Sequence, residues 1–589
     1  MSSPLNTDQQ SLLNSLASTL SPTQAIWVSG YTAGLAGIGA SSAPVAAAST
    51  SQNITVLYGT ESGNCEMLAE KVSKAAKKQG HKAKLVNMAE TTVKDLTSAS
   101  TLLVIISTWG DGEPPETAEA FYNELMSAGV DFSGVDFSVC ALGDTSYEKF
   151  CQTGKDIDVQ LEKLGAKRLV DREDCDVDFD DSFDKWHKAV TAKISSSATP
   201  ATLAAPTLEA APAVEYNKKN PFPSEILDNV LLSGACSAKE TIHVEFSLEG
   251  SGFNYEPGDV LCVIPQNADD TVSNILSLAN ITASEAVEIK NIGKTTFGDA
   301  LKNHLDITSV SKRVATNIQT LTGSAELAEL IEGKAEMTFK DWCYGREIID
   351  LIEFAKLPET VSAQQLVDCL RALPPRLYSI ASSPKAHPDE VHLTVAAVRY
   401  NTYDKDRKGV ASTYLADDAK VGTKVNVYLH KNKNFRLPES GDTPIIMVGP
   451  GTGVAPFRAF IEERAETEAK GLSWLFFGDQ KYNEDFLYQL ELQDHLKEKA
   501  LSRLDVAFSR DQPEKVYVQH KMLENAAELY KWLEDGAHFY VCGDASRMAK
   551  DVNDALLEII STQGNKSKEE AEQYLAALKK AKRYQRDVY

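Results

Sequence analysis

The segment ITVLYGTESGN at positions 54–64 joins a short apolar run to a loop of small and hydroxyl-bearing residues. A helical pattern of apolar residues follows from Met67 to Gln79. A strand that turns directly into a helix aims main-chain N–H groups at the turn, where a phosphate can bind. An ordinary strand–helix turn with an N-cap has the same pattern, so this segment alone leaves both interpretations open.

Two further apolar runs, at 102–106 and 138–142, also end in polar loops. Apolar strands that alternate with helices predict a parallel sheet covered on both faces. Ligands of open α/β sheets bind at the carboxyl ends of the strands, so we expect the three loops to converge. Each of the later loops carries an aromatic ring, Trp109 and Tyr147, that could flank a flat ring system.

Three such loops in this order resemble the flavodoxin-like FMN domain. The resemblance implies that the first loop holds the FMN phosphate and that the other two line the flavin ring. Glu61 departs from the Gln or Thr that is usual there, and its carboxylate would have to point away from the phosphate. The resemblance implies FMN contacts from Thr60, Glu61, Ser62, Gly63, Asn64, Cys65, Ser107, Thr108, Trp109, Gly110, Leu142, Gly143, Asp144, Thr145, Ser146, Tyr147, Glu148, Lys149, Phe150 and Cys151.

The central part of the chain has a different pattern. Strand-like alternation at Glu240–Ser247 and Val391–Arg399 predicts an antiparallel barrel, and helix-like segments from about Asp269 to Asp368 predict a helical insertion. The segment RLYS at 376–379 offers a guanidinium for a pyrophosphate and a ring for a flavin face. The segment GVAS at 409–412 is typical of a tight turn that meets phosphate at a helix start.

These blocks resemble the FAD domain of the ferredoxin–NADP reductase family, and the insertion resembles the connecting domain of diflavin reductases. The resemblance therefore implies FAD as a second cofactor. The implied FAD contacts are Thr308, Arg376, Leu377, Tyr378, Ser379, Thr394, Val395, Ala396, Tyr400, Gly409, Val410, Ala411 and Ser412.

Strand–helix alternation returns from Thr443, and the loop VGPGTGVAPF at 448–457 lets the backbone approach a pyrophosphate. Farther on, Ser, Arg, Lys and Tyr side chains suit a dianionic 2′-phosphate, whereas NAD would call for a carboxylate. A solvated basic patch is the alternative. We predict NADPH as the reductant, bound by Gly451, Thr452, Ser509, Arg510, Lys515, Val516, Tyr517, Val518, Gln519, Asp551 and the terminal Tyr589.

The reaction centre follows from the same resemblance. The segment VCGD at 541–544 ends what we interpret as the last strand, and the chain ends in RDVY at 586–589. In the family, the Cys and a carboxylate join a Ser near the nicotinamide, and a terminal aromatic ring shields the flavin. For Cys542, a buried structural cysteine is the alternative. The predicted catalytic residues are Ser379, Cys542, Asp587 and Tyr589.

Length and composition limit the remaining possibilities. A chain of 589 residues exceeds one hydrophobic core, so about three to four domains are expected. The net charge of −24 argues against nucleic acid and permits docking to a basic partner. We expect no membrane span and no signal peptide. The nine scattered cysteines contain no C-x-x-C pair, which predicts no metal site and a cytoplasmic protein with reduced thiols.

The predicted fold class is a multidomain α/β protein with a flavodoxin-like FMN domain, an antiparallel β-barrel FAD domain with a helical connecting insertion, and a Rossmann-like NADP domain. Two Ala/Ser/Pro-rich stretches are predicted linkers. The predicted bounds are an N-terminal helical oligomerisation segment at 1–38, a linker at 39–53, the FMN domain at 54–194, a flexible linker at 195–213, the FAD barrel at 214–440 with its insertion at about 269–368, and the NADP domain at 441–589.

Three segments, at 20–31, 376–383 and 584–589, resemble the bacterial NADPH-dependent assimilatory sulfite reductase flavoprotein α-subunits. The resemblance implies electron transfer from NADPH through FAD and FMN to a sirohaem iron–sulfur β-subunit that reduces sulfite to hydrogen sulfide for cysteine biosynthesis. It also implies a homo-oligomer formed through the N-terminal segment. The segment WGD at 109–111 departs from the QGE expected in that subfamily.

Two alternatives remain open. One is a soluble NADPH reductase for a P450 or another haem protein. The other is a flavin-binding interaction protein without turnover, against which the complete set of predicted hydride-site residues argues.

Overall fold

The computed structural model describes Thr19 and residues 52–110, 112–195 and 216–589. The predicted N-terminal helices and nearly all of both predicted linkers lie outside the described residues. Among the helices that are described, none is both long enough and apolar enough to cross a membrane.

The first sheet has six parallel strands in the order β2-β1-β3-β4-β5, with β6 paired to β4. Its central strand is buried almost throughout, because helices cover both faces and form two separate apolar cores. The bounds are β1 Asn53–Gly59, α1 Asn64–Lys78, β2 Lys82–Asn87, a 3₁₀ turn Met88–Glu90, α2 Val93–Leu96, β3 Thr101–Ser107, α3 Glu116–Ser127, β4 Asp136–Leu142, α4 Gln152–Lys163, β5 Lys167–Arg168, β6 Glu173–Cys175 and α5 Asp180–Ser195.

A second sheet of antiparallel strands curls into a barrel in the order β14-β9-β18-β7-β8-β15. A bridge between Ile380 and Leu393 joins its two edge strands. The strands of this region are β7 Phe222–Leu231, β8 Thr241–Ser247, β9 Val260–Val263, β10 Ala286–Ile289, β11 Gly293–Thr296, β12 Leu305–Asp306, β13 Arg371–Ala372, β14 Arg376–Ser379, β15 Glu390–Ala396, β16 Arg399–Thr402, β17 Lys405–Lys408 and β18 Lys424–His430.

Helices between β9 and β14 form the predicted insertion and enclose a core of their own. They are α6 Asp269–Ala279, α7 Phe297–Asn303, α8 Lys312–Thr322, α9 Ala325–Ile331, α10 Phe339–Cys343, α11 Ile348–Ala355 and α12 Ala363–Cys369, and after β17 follow α13 Val410–Thr413 and a π-helical turn Tyr414–Asp418. The predicted strand Val391–Arg399 is too long, because it ends at Ala396 and Arg399 opens a separate hairpin.

The third sheet is parallel, in the order β21-β20-β19-β22-β23. Its elements are β19 Ile445–Val448, a 3₁₀ turn Gly451–Val454, α14 Ala455–Glu466, β20 Ser473–Asp479, α15 Tyr482–Asp485, α16 Gln489–Glu498, β21 Arg503–Phe508, α17 Val518–Glu524, α18 Ala526–Glu534, β22 His538–Gly543, α19 Met548–Gln563, α20 Lys568–Lys580 and β23 Tyr584–Val588. The prediction that the strand ending at Cys542 is the last one is wrong, since β23 follows it as a polar edge strand.

Candidate functional site

The first loop, between β1 and α1, contains buried hydroxyls. The hydroxyl oxygens of Thr60 and Ser107 are buried and have no hydrogen-bond partner among the described residues. Buried polar atoms normally find partners, so a ligand with acceptor oxygens fits this place. Gly63 has a φ of +82° immediately before the 15-residue helix α1, whose free N–H groups favour an anion. The loop therefore fits the phosphate of FMN.

The side chain of Glu61, in this loop, points toward helix α3. Its Oε2 accepts a hydrogen bond of 2.9 Å from the main-chain N–H of Glu116, the first residue of α3. Burial raises the pKa of the Glu61 carboxyl to about 7. An acid in this position is compatible with a nearby phosphate because its side chain is engaged elsewhere.

The second and third loops lie at the ends of β3 and β4. Trp109 donates its main-chain N–H to Glu113 across 2.8 Å, which closes a tight turn. Tyr147 is 54% exposed, so its ring is free to meet a flat ligand. Asp144 forms an ion pair of 3.1 Å with Arg371 of the barrel region, and Cys151 is buried in the left-handed conformation.

In the barrel, β14 presents Arg376 and Tyr378 on one face of the strand, two residues apart. Arg376 is exposed and has no ion-pair partner among the described residues. Burial raises the pKa of Tyr378 to about 12, so the phenol stays neutral. A free guanidinium beside a partly buried ring fits the pyrophosphate and flavin of FAD.

The other predicted FAD residues differ in what their side chains touch. Ser412, in α13, accepts a 3.1 Å hydrogen bond from the N–H of Val398, which lies between β15 and β16. Thr308 donates to Asp306, which also pairs with Arg371 at 3.0 Å. The hydroxyl of Thr394 contacts that of Tyr488 at 2.7 Å, Val395 lies in the barrel core and Tyr400 is 46% exposed. The Thr394 side chain is thus engaged with the nicotinamide domain.

The glycine loop after β19 lies directly against β22. A Cβ atom on Gly453 would come within 2.1 Å of the carbonyl oxygen of Cys542, so only glycine permits this approach. At the neighbouring strand ends, Arg510 and Lys515 are exposed and form no ion pair within the described ranges. Gln519 donates to Asp551 at 3.2 Å. Two free cations beside a glycine loop fit a phosphorylated dinucleotide.

Three of the predicted catalytic side chains meet at one carboxylate oxygen. Ser379 donates to Oδ2 of Asp587 at 2.5 Å, and the Cys542 thiol lies 3.8 Å from the same oxygen. Cys542 and Asp587 are register partners in β22 and β23. Burial raises the pKa of Asp587, partly offset by these two hydrogen bonds. Burial and the Asp587 charge raise the pKa of Cys542 well above its usual range, so it remains a thiol rather than a nucleophile.

Tyr589 has a fixed main chain and a movable side chain. Its N–H donates to Gly543 and its carbonyl accepts from Ala545, each at 3.1 Å. The hydroxyl contacts that of Thr452 at 2.8 Å, and the side chain is 58% exposed. Displacement of the Tyr589 ring by a ligand would therefore require only a rotation of its side chain.

Comparisons with known proteins agree with this order of sites. A flavodoxin model matches residues 56–186, an FAD binding domain model matches 214–414 and an oxidoreductase NAD-binding domain model matches 447–554. The chain is 46% identical to a protein of Bacillus subtilis (strain 168) named sulfite reductase [NADPH] flavoprotein alpha-component, over 100% of this chain and 99% of that one. Proteins of the same name from Vibrio parahaemolyticus and Escherichia coli O157:H7 are each 42% identical, over 100% of this chain and 96% and 98% of theirs.

The chain belongs to the sulfite reductase flavoprotein α-component family. The predicted fold class is confirmed, and so is the predicted cofactor set of FMN, FAD and NADPH. The individual contact residues stay predictions.

Contacts between the flavodoxin domain and the rest of this α-component were missed by sequence reasoning. Nε2 of His430 lies 2.5 Å from the carbonyl oxygen of Ser62 in the first loop. Arg586 pairs with Glu116 at 2.5 Å. No local pattern marks these contacts, because their partners lie more than 360 positions apart in the chain.

Proposed function

We propose that this α-component delivers electrons from NADPH to a separate sirohaem iron–sulfur β-subunit, which reduces sulfite to hydrogen sulfide in the cytoplasm. The chain is an oxidoreductase that transfers electrons from NADPH to FAD and on to FMN. The observation that carries the proposal is that Ser379 and Cys542 both contact Asp587. A flavin-binding protein without turnover would not require such an arrangement of reactive side chains.

The chemistry supplied by the bound cofactors is transfer of a hydride, two electrons at once, from NADPH to FAD, followed by single-electron transfer to FMN. The chain's own residues position these groups. Asp587 holds the Ser379 hydroxyl and the Cys542 thiol in one place. The Tyr589 ring, held by the contact of its hydroxyl with Thr452, would rotate away when the nicotinamide binds. Such preorganisation lowers the barrier by holding reacting atoms near the attack geometry.

Delivery to the acceptor requires the flavodoxin domain to leave the position seen here. We propose the domain bounds 54–194, 214–440 and 441–589, with the flexible linker 195–213 allowing this movement and residues 1–38 forming a homo-oligomer. Exposed ion pairs such as Lys290–Asp181, whose side chains are 78% and 51% exposed, support the release, because both partners are readily hydrated.

The deciding experiment measures NADPH oxidation by the flavin-loaded protein with and without a sirohaem sulfite reductase subunit, while sulfide is followed. We expect sulfide only when both subunits are present. Reduction of cytochrome c without sulfide would contradict the sulfite assignment and favour a reductase for another haem protein. Bound flavin without NADPH oxidation would contradict the enzyme itself.

The linker has a test of its own. Deleting about half of residues 195–213 should slow electron delivery to the acceptor and spare FAD reduction by NADPH. Equal slowing of both steps would refute the moving-domain proposal.

A further inference from the structure

Two consecutive residues of β23 serve different parts of the molecule. Side chains alternate along a strand, so Arg586 and Asp587 point to opposite faces. Asp587 meets Ser379 and Cys542 at the predicted hydride site. Arg586 reaches Glu116 of the flavodoxin domain, where its Nε lies 2.5 Å from Oε2. The edge strand thus touches both the hydride site and the flavodoxin domain.

Glu116 is well placed to receive this contact. Lys579 binds its other carboxylate oxygen at 2.8 Å, and its main-chain N–H donates to Glu61 of the FMN phosphate loop at 2.9 Å. Although burial acts to raise the pKa of Glu116, the positive charges of Lys579 and Arg586 outweigh it and lower the pKa. A continuous chain of polar contacts therefore runs from the phosphate loop to the strand that carries Asp587.

The pair Arg586–Glu116 is more buried than a second ion pair near it. The side chains of Arg586 and Glu116 are 22% and 18% exposed, whereas those of the nearby pair Lys582–Glu90 are 65% and 59% exposed. An exposed ion pair such as Lys582–Glu90 contributes little to the stability of the interface. Removing one partner of a partly buried, hydrogen-bonded pair destabilises the interface strongly, because the other charge stays buried without a partner.

We infer that Arg586 is a positioning residue that holds the flavodoxin domain against the hydride-site strand through Glu116, in the arrangement in which FMN receives electrons. The inference rests on the proposed electron path. It assigns to Arg586 the positioning of the domain and to its neighbour Asp587 the positioning of the reacting groups.

The test uses the full-length, flavin-loaded protein with Arg586→Gln, Glu116→Gln and the matched control Lys582→Gln. Stopped-flow absorbance after mixing with NADPH separates fast FAD reduction from the later arrival of electrons at FMN. Either of the first two variants should slow the later phase by about tenfold or more and leave FAD reduction within about twofold. The control should change neither phase by more than about twofold.

A second readout does not depend on activity. Small-angle scattering should show a larger radius of gyration for Arg586→Gln and Glu116→Gln than for the wild type, with Lys582→Gln unchanged. The charge-reversed double variant Glu116→Arg/Arg586→Glu should recover part of both the compactness and the rate. Wild-type values in Arg586→Gln, for both scattering and the later phase, would overturn the inference.

Failure of the proposed function and failure of the Arg586 inference would give different results. If the wild type itself fails to pass electrons from FAD to FMN, the proposed function fails. If the wild type succeeds and Arg586→Gln slows FAD reduction as strongly as FMN reduction, Arg586 supports the hydride site rather than the domain position, and the inference alone fails.

Discussion

Two interfaces within this protein differ in how they are built. Between the barrel and the nicotinamide domain, Arg458 is buried and donates to the carbonyl of Ala381 at 2.7 Å, while it pairs with Glu462 of its own helix at 2.8 Å. Between the flavodoxin domain and the rest, Lys433 and Lys290 stay 57% and 78% exposed while they pair with carboxylates, and Arg586–Glu116 is a more buried pair of the same interface.

The two interfaces also differ in the charge of the groups that they bury. Burial and the nearby Arg458 charge lower the pKa of His243 to about 3 and that of His392 to about 2, so both rings are neutral in the barrel interface. Buried, hydrogen-bonded groups are little screened by salt, whereas exposed ion pairs are screened. The fixed interface carries the proposed hydride site, whose chemistry requires precise geometry, and the weaker interface carries the domain that we propose moves to the acceptor.

The largest effect is expected at the fixed interface. Arg458→Met leaves Glu462 and Glu491 without their buried partner, so the free energy of unfolding should fall by about 3–5 kcal/mol in chemical denaturation. Lys497→Gln is the control, since Lys497 pairs with Asp494 and the two side chains are 72% and 63% exposed, and it should cost less than about 1 kcal/mol. Equal losses in the free energy of unfolding of the two variants would show that buried and exposed ion pairs stabilise this protein equally.

Asp587→Asn tests the hydride site within the same interface. The rate of FAD reduction by NADPH should fall about 100-fold, because the carboxylate that receives Ser379 and Cys542 is lost. Burial raises the pKa of Asp587, so the wild-type rate should vary with pH above the ordinary carboxyl range and the variant rate should not. Dithionite reduction serves as the control and should be unchanged; an undiminished NADPH rate would remove Asp587 from the site.

Glu61 makes the weaker interface sensitive to pH. Its pKa of about 7 in the docked arrangement reflects burial first, then Glu116, Arg586 and Asp587 around it. The Glu61 carboxyl therefore favours the docked arrangement when it is protonated, and its contribution to the docked fraction should fall as pH rises through about 7. His430 acts in the opposite sense, because burial at the same interface lowers its pKa. Small-angle scattering of the wild type and of Glu61→Gln between about pH 5 and 8 gives the Glu61 contribution as the difference between the two curves. Identical curves would refute this assignment.

Tyr589→Phe should have the smallest effect. It removes the hydrogen bond to Thr452 but keeps the ring, so NADP⁺ should displace the ring more easily and bind up to about fivefold tighter in calorimetry. Tyr574→Phe, which removes an exposed contact with Glu534, is the control and should not change binding. Weaker binding in Tyr589→Phe would mean that the hydroxyl contacts the cofactor instead of competing with it.

Local pattern accounts for much of what was predicted. The apolar runs at 54–58 and 102–106 are buried strands because both faces of the first sheet are covered. The glycine loop at 449–453 precedes a helix as predicted, and Gly453 lies against β22. Strand β23 was missed because an edge strand with the sequence YQRDV has too few apolar residues for a periodic signal.

By itself the sequence determined the three-domain fold class and the three cofactors and predicted the hydride-site residues, because its short motifs resemble those of known flavoprotein families and stand in the same order. Only the tertiary structure decided that Ser379 and Asp587 share a hydrogen bond, that Arg586 meets Glu116 and that Glu61 turns to α3. Those contacts join residues up to 470 positions apart, and a local pattern carries no information about which distant surfaces packing brings together.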